Sequence, residues 1–380
     1  MNRILILQRT FEHYRIPVFS ELATRENIDL TIAFPYVGRV NSPYNDIDLQ
    51  YRHIDLEIDH YSFPIVGEIF KYKNFLDVIS KSNPDVIIAE GNPRIRTLYS
   101  LTDFAKSNGI KTVAWTKYDN TSGILKNFIW HKFLQKWDSI MCYGEISRQN
   151  IIEMGFNSKN VFVAQNTVEV DFSNEDISKM DQAIEDQIIP EFKKKSIRLV
   201  SLGSLVEKKK FDLVITAVIS LIRKGNNVQL AIVGDGPERS SLENIVKKAI
   251  RSKHIKPKDI FFVGHVPYGN DHLWLKAAHI SITGGAVGLA MNVSMSHGVP
   301  TIIPNEYGSD SELLINNVNG VRFEPNDVSS LEESLSKLVS DKKLRNTIGE
   351  SAFKTIDAKA SIPVMVDGFE SVISHLNRSI

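Results

Sequence analysis

The sequence predicts an α/β protein of two doubly wound, Rossmann-like domains, and three observations predict it. The chain has 380 residues, more than one hydrophobic core ordinarily organises. Short, continuously apolar runs alternate with amphipathic stretches long enough for helices, the pattern of parallel strands covered on both faces. That alternation occurs twice, with the charged, strand-free segment SNEDISKMDQAIED between the two sets.

In the first half the expected strands are residues 3–7, 29–34, 85–90, 111–115, 138–143 and 160–164. In the second half they are 197–203, 228–234, 259–264, 278–283, 301–304 and 320–324. The boundaries that follow are a first domain over 1–170, a linker over 171–196, a second domain over 197–360 and a last helical segment over 361–380. The apolar run in the opening MNRILILQRTF is too short for a signal core or a membrane span and reads as a buried strand. Lys+Arg and Asp+Glu balance at 45 each, so no global basic field for nucleic acid exists. A single cysteine, Cys142, excludes an internal disulfide and suits a reducing compartment, so a cytoplasmic location is expected. The ten histidines show no metal-ligand spacing, and there is neither a nucleophile elbow nor a Walker loop. No metal and no cofactor are expected.

Open parallel sheets bind ligands beyond the carboxyl ends of their strands. In the second half those positions hold Gly203-Ser204, Asp235-Gly236-Pro237, His265, Gly284-Gly285 and Asn305-Glu306; in the first half they hold Gln8-Arg9, Gly91-Asn92, Thr116-Lys117 and Gly144-Glu145. The stretch GGAVGLAMNVSMSHGVP, 284–300, is a glycine-rich turn feeding a helix that closes at Gly298 with Pro300 beyond it. Backbone N–H groups at such a turn lack intrahelical partners and attract an anion. Lys208, Lys209 and Lys210 stand before another helix, where cations oppose the dipole unless an anion lies between; a solvated charge run is the alternative. Asn92-Pro93 reads as a helix N-cap and first helical residue, with Arg94 placed for acceptor or phosphate. Arg9 and the His13-Tyr14-Arg15 run at the head of the first helix are expected to contact an acceptor. SGILKNFIWHKFLQKW, 122–137, is an amphipathic, basic and aromatic helix. Core packing accounts for most of its apolar residues, and such helices also lie on anionic membranes.

Five segments in order, GSL…KKKFDLVITA, AIVGDGPERSSLE, FFVGHV, AAHISITGGAVGLAMNVSMSHGVPTI and SELLINNVNGVRFEPNDVSSLEESLSKLVSD, carry a resemblance. From about Ser201 to Asp341 the chain resembles the donor domain of retaining, group 1 type nucleotide-sugar glycosyltransferases of GT-B fold. QRTFEHYRIPVFSEL and EGNPRIRTLYSL are similar to a branch that builds bacterial surface polysaccharides, and 361–380 to the tail helix that returns to the first domain. The resemblance implies two Rossmann-like domains facing across a cleft, acceptor on the first and donor on the second, and metal-independent transfer with retention. It implies that Lys209 contacts the donor diphosphate, that Gly203, Ser204, Gly236 and Gly285 line the donor, and that the amides of Ala286, Val287, Gly288 and Leu289 cradle diphosphate or sugar. His265 and Val266 would meet the nucleobase, and Glu312 would help hold the donor.

Ser204 stands where the usual pattern has arginine. The two glutamates of that pattern fall on Gly285 and Val293, neither acidic. Loss of one ribose hydrogen bond costs roughly 0.5–1.5 kcal/mol, and Asn292, Ser294 or His297 are the neighbours that could replace it. Where relatives carry Trp-Gly-His, this chain has Trp115-Thr116-Lys117, which makes Lys117 a second catalytic candidate. The expected partners are a nucleotide-sugar donor, a glycan or lipid-linked acceptor and, peripherally, the inner face of the cell membrane. Two other readings use the same fold: a non-catalytic scaffold or binding subunit, and a sugar-nucleotide epimerase.

Overall fold

A computed structural model of the chain describes residues 1–35, 50–63, 67–119, 123–169, 174–267, 269–306 and 308–378. The chain divides into two compact units, Met1–Thr167 with Ile362–Ile380, and Val168–Ser361.

The first unit is built on a parallel sheet of seven strands: β1 (Asn2–Leu7), β2 (Ile28–Phe34), β3 (Arg52–Asp55), β6 (Val86–Glu90), β7 (Lys111–Thr116), β8 (Ser139–Cys142) and β9 (Val161–Val163), in the order β3-β2-β1-β6-β7-β8-β9. A separate antiparallel hairpin pairs β4 (Ile58–Phe63) with β5 (Gly67–Tyr72). The six strands expected in this half all form. Ile4 to Leu7 at the sheet centre are at most 1% exposed, as continuous apolar runs require. The strands that the sequence pattern missed are β3, β4 and β5. These have one or both faces toward solvent, with Tyr61 and Phe63 over 40% exposed, so they carry no unbroken apolar run to announce them.

The helix Ile16–Ala23 and the C-terminal helix Ile362–Asn377 cover one face of this sheet together. Phe19, Trp115 and Phe369 meet edge to face, with ring centroids 5.0–6.4 Å apart. Gly368 lets the C-terminal helix touch the backbone of β9: an added Cβ would lie 2.4 Å from Val163 O.

The second unit holds a parallel sheet of β10 (Ile197–Leu202), β11 (Val228–Val233), β12 (Ile260–Gly264), β13 (Ile280–Ile282), β14 (Thr301–Pro304) and β15 (Val321–Phe323), in the order β12-β11-β10-β13-β14-β15. Counted within the unit this is 3-2-1-4-5-6, the doubly wound order whose direction reverses between β10 and β13. All six expected strands form. The segment expected as a linker over 171–196 is instead helical: beyond residues 171–173, which lie outside the described ones, Asn174–Ala183 is an α-helix that runs on as a π turn to Ile188. Ile184, Ile188 and Phe192 are buried, Phe192 stands against Phe261 and Trp274, and Lys193 pairs with Asp259. Its many charges hid a thin apolar stripe, and that stripe joins it to the second unit.

The contact at Gly368 gives a test in which two rules oppose each other. Alanine in a helix interior normally stabilises by about 1 kcal/mol over glycine. Here the new methyl meets a backbone carbonyl that cannot rotate away, so Gly368→Ala is expected to destabilise the chain by roughly 1–3 kcal/mol. Urea denaturation measures it, and an unchanged or higher midpoint would show that the helix is not seated on β9 in this way.

Candidate functional site

At the switch point of the second unit, two loops converge on one lysine. β10 leads through Gly203 to a turn, Glu207–Lys209, and Lys210 takes left-handed backbone (φ 51) at the head of the helix Phe211–Arg223. The loop after β13 lies directly on that turn. An added Cβ at Gly284 would stand 2.3 Å from Lys210 O, and one at Gly285 would stand 2.2 Å from Lys208 O. The Ala286 N–H donates to Lys208 O at 2.8 Å. In return the Lys209 ammonium donates to Ala286 O at 2.7 Å. Its stem passes Gly203 and its Nζ passes Gly288, where added Cβ atoms would lie 3.8 and 3.3 Å away. The glycines are thus what allow Lys209 to reach into this loop.

Burial lowers the Lys209 pKa and the neighbouring Lys208 lowers it further, while Asp310 opposes both. An ammonium has three donors, and among the described residues Ala286 O is the acceptor for one of them. The N–H groups of Val287, Gly288 and Leu289 make no backbone hydrogen bond among the described residues. A half-desolvated cation beside successive unpaired amides is an anion-binding arrangement.

Several expected site residues prove to have other duties. The Ala286 amide is taken by Lys208 and is not part of a cradle. No side chain fits at Gly285, so the first family carboxylate has no room there without moving Lys208. Val293 is 3% exposed, and Asn292 and Ser294 are buried with it. The Ser294 hydroxyl donates to Ser281 Oγ at 2.8 Å, and His297 Nε2 lies 3.1 Å from His272 Nδ1. Ser294 and His297 therefore serve packing inside the unit. Gly236 allows backbone contact with Leu205, and its N–H donates to Asp235 Oδ1. Ser204 and His265 are exposed, while Val266 and Glu312 are half-buried. Asp310, two residues before Glu312, acts on Lys209 and was not singled out by sequence; SDSELL offers four acidic or hydroxyl side chains, and the resemblance pointed to Glu312.

In the first unit the reversal lies between β1 and β6. There Arg9 pairs with Glu90 at 3.1 Å and lies over the Phe70 ring at 4.2 Å. Asn92 does not cap a helix: its Oδ1 accepts the Arg94 N–H at 3.0 Å in a local turn, and the helix begins only at Thr97. The delay comes from Phe70, which exchanges backbone hydrogen bonds with Arg94 and Arg96 and holds the intervening Ile95 extended. Arg15, expected to face an acceptor, is 4% exposed, with its guanidinium 4.3 Å from the Trp115 ring and near Tyr14 and Tyr143. It is a packing cation among aromatic rings. Tyr14 is half-buried, and the His13 side chain lies outside the described residues.

A cavity of about 760 Å³ opens at this edge. Asn92, Arg94 and Lys117 line it, joined by Arg96, Lys126 and Lys132. Lys117 is paired with Asp119 at 3.1 Å. The helix Ile124–Leu134 forms one wall, and core packing accounts for only part of its apolar residues. It buries Phe133 and Leu134 but leaves Ile124 91%, Leu125 74%, Phe128 58% and Ile129 44% exposed.

Residues 183–355 match the family described as glycosyl transferases group 1. An uncharacterised glycosyltransferase of Methanocaldococcus jannaschii is 21% identical over 93% of this chain and 92% of its own. A capsular polysaccharide biosynthesis glycosyltransferase of Staphylococcus aureus is 25% identical over 45% of this chain and 44% of its own. The crystal structure of Anabaena HepE in complex with UDP superposes with a TM-score of 0.73 at 14% identity, covering 98% of this chain and 99% of that one. The chain therefore has the GT-B fold and resembles the group 1 glycosyltransferases, a likeness that supports glycosyl transfer.

The buried histidine pair makes stability depend on pH. His297 is held down to about 3, first by burial and then by His272 and Lys276, against the opposing pull of Asp181. In the unfolded chain it titrates near the usual value of about 6.5. The unfolded state therefore takes up the proton first, so the contribution of neutral His297 is complete above about pH 6.5 and is lost as pH falls toward 3. His297→Gln is expected to flatten the fall of the urea midpoint between pH 6.5 and 4, relative to the parent chain. An identical slope in the two proteins would remove His297 as its source.

Proposed function

We propose that the chain is a glycosyltransferase that moves a sugar from a nucleoside-diphosphate donor, held by the second unit, to a hydroxyl of an acceptor bound by the first. The observation that carries the reading is the Lys209 ammonium, drawn into the loop beside the amides of Val287, Gly288 and Leu289. When the bond between sugar and diphosphate breaks, negative charge grows on the leaving phosphate oxygens. Fixed donors placed where that charge develops lower the barrier, because they need no reorganisation as it appears. Lys209 and these amides supply such donors without a metal ion. The loop also lacks a carboxylate that would repel the diphosphate. Retention of configuration follows from the resemblance to retaining enzymes. A role in polysaccharide or glycoconjugate assembly is supported by the likeness to the capsular enzyme.

The close approach at Gly285 also favours a second reading, a donor-binding subunit that performs no transfer. Calorimetric titration with UDP, GDP and CMP tests what the two readings share. One nucleotide is expected to bind saturably, and Lys209→Ala to weaken it by roughly ten- to hundredfold, the loss of a charge-assisted hydrogen bond of about 1.5–3 kcal/mol. No binding by any of the three would end both readings. Release of sugar from the matching nucleotide sugar then separates the enzyme from the subunit.

The exposed face of the helix Ile124–Leu134, with Lys126 and Lys132 beside it, supports peripheral contact with an anionic lipid surface next to the acceptor cavity. Vesicles of phosphatidylglycerol and phosphatidylcholine are expected to co-sediment the protein, and Leu125→Glu with Phe128→Glu to release it. Equal sedimentation of parent and variant would exclude this face as the contact.

A further inference from the structure

The second unit carries another concentration of positive charge, at the end of the sheet opposite Lys209. Residues 195–198 open β10, Ala278-His279 open β13 and 298–300 open β14, three adjacent strands. With the first turn of the helix Lys342–Lys359 they enclose a cavity of about 380 Å³. Lys195, Arg198, Lys342 and Arg345 line it, and none of its lining residues is acidic. The nearest carboxylates that act on these cations are Glu185, on Arg198, and Asp341, on Arg345. Asp341 Oδ1 already accepts the Leu344 N–H at 2.9 Å as the helix cap.

The hydrogen bonds say which donors remain. Arg345 is only 8% exposed, and its Nη1 donates to the carbonyls of Leu338 and Val339. Arg198 spends Nε on Ala277 O at 2.6 Å. A guanidinium has five N–H donors, so each retains several. The Arg198 backbone N–H donates to His279 Nδ1 at 2.9 Å, which leaves the neutral ring protonated at Nε2 and able to donate. His279 itself is held down to about 4, by burial first and then by Arg198, Arg345 and Lys342, so it stays neutral at physiological pH. Forked guanidinium donors and a neutral imidazole N–H around one cavity match a tetrahedral oxyanion.

We propose that this cavity binds a phosphate dianion, free or carried on a small sugar, separately from the donor site. The space equals the share of about a dozen water molecules, enough for a phosphate with a sugar attached. The probes are inorganic phosphate and glucose 6-phosphate, titrated calorimetrically into the full chain against sodium chloride of matched ionic strength. Saturable binding is expected, undiminished in Lys209→Ala and weakened about tenfold or more in Lys195→Glu with Lys342→Glu. Both of those lysines are exposed, so the double variant keeps its fold, and its thermal midpoint without ligand checks that. Tighter binding of glucose 6-phosphate than of phosphate would identify the sugar ester as the ligand, and equal binding the free ion. No heat beyond the chloride control, or binding that survives the double variant, overturns the proposal. So does binding that disappears with Lys209→Ala, because the anion would then be occupying the donor site. UDP titrations run in parallel are independent: their failure touches the transferase reading and leaves this cavity unaffected.

Discussion

The second unit depends on one close approach, that of Gly284 and Gly285 to the carbonyls of Lys210 and Lys208. Backbone meets backbone there, at distances that leave no space for a Cβ. The contact does three things at once. It lets the Ala286 N–H reach Lys208 O, it sets Lys210 in left-handed backbone at a helix head, and it brings the loop carbonyl of Ala286 to the Lys209 ammonium. A lysine at a helix start is electrostatically out of place. This one is tolerable because a carbonyl partly satisfies it and an anion can complete the task. The pKa direction agrees: burial and Lys208 both disfavour the charge that only Asp310 supports.

The same contact explains why a carboxylate is absent. A side chain at Gly285 would have to displace the turn that carries Lys209, so the loop can offer the amide nest or the carboxylate but not both in this conformation. Val293 belongs to the same compromise. It is buried with Asn292 and Ser294, where an ionised side chain would need a partner of its own. The helix that follows the nest thus works as packing.

Much of this was legible in the sequence, for a physical reason. Twelve strands covered on both faces read as unbroken apolar runs, and glycines after β10 and β13 marked the loops that approach each other. The hairpin β4–β5 was illegible because half-exposed strands carry mixed residues. The helix Asn174–Ala183 was illegible because its charges outnumber the few apolar residues that hold it. Asn92-Pro93 misled, since the cap rule knows nothing of Phe70, whose hydrogen bonds hold the next residues extended. Arg15 misled as well: a charged residue at a helix head reads as exposed, and only the assembled rings of Trp115, Tyr14 and Tyr143 show how it is buried. The apolar residues of 122–137 pointed to a core that buries Phe133 and Leu134 and takes Trp130 in part, leaving Ile124, Leu125, Phe128 and Ile129 exposed.

The two ends of the second sheet present positive charge by different means, and the difference follows from chain direction. At the carboxyl ends the strands run into glycine loops, so amides and a single inserted lysine do the work. At the amino ends the entering residues of β10 carry the long side chains of Lys195 and Arg198, and the helix Lys342–Lys359 adds Lys342 and Arg345. Amides placed by backbone are fixed in position, which suits a leaving group whose charge changes during reaction. Side-chain cations are adjustable and half-solvated, which suits reversible capture of a ligand whose charge does not change. The strands β10 and β13 begin at the basic cavity and end in the loops that carry Lys209 and Gly284, so one rigid pair of strands spaces the two positive ends.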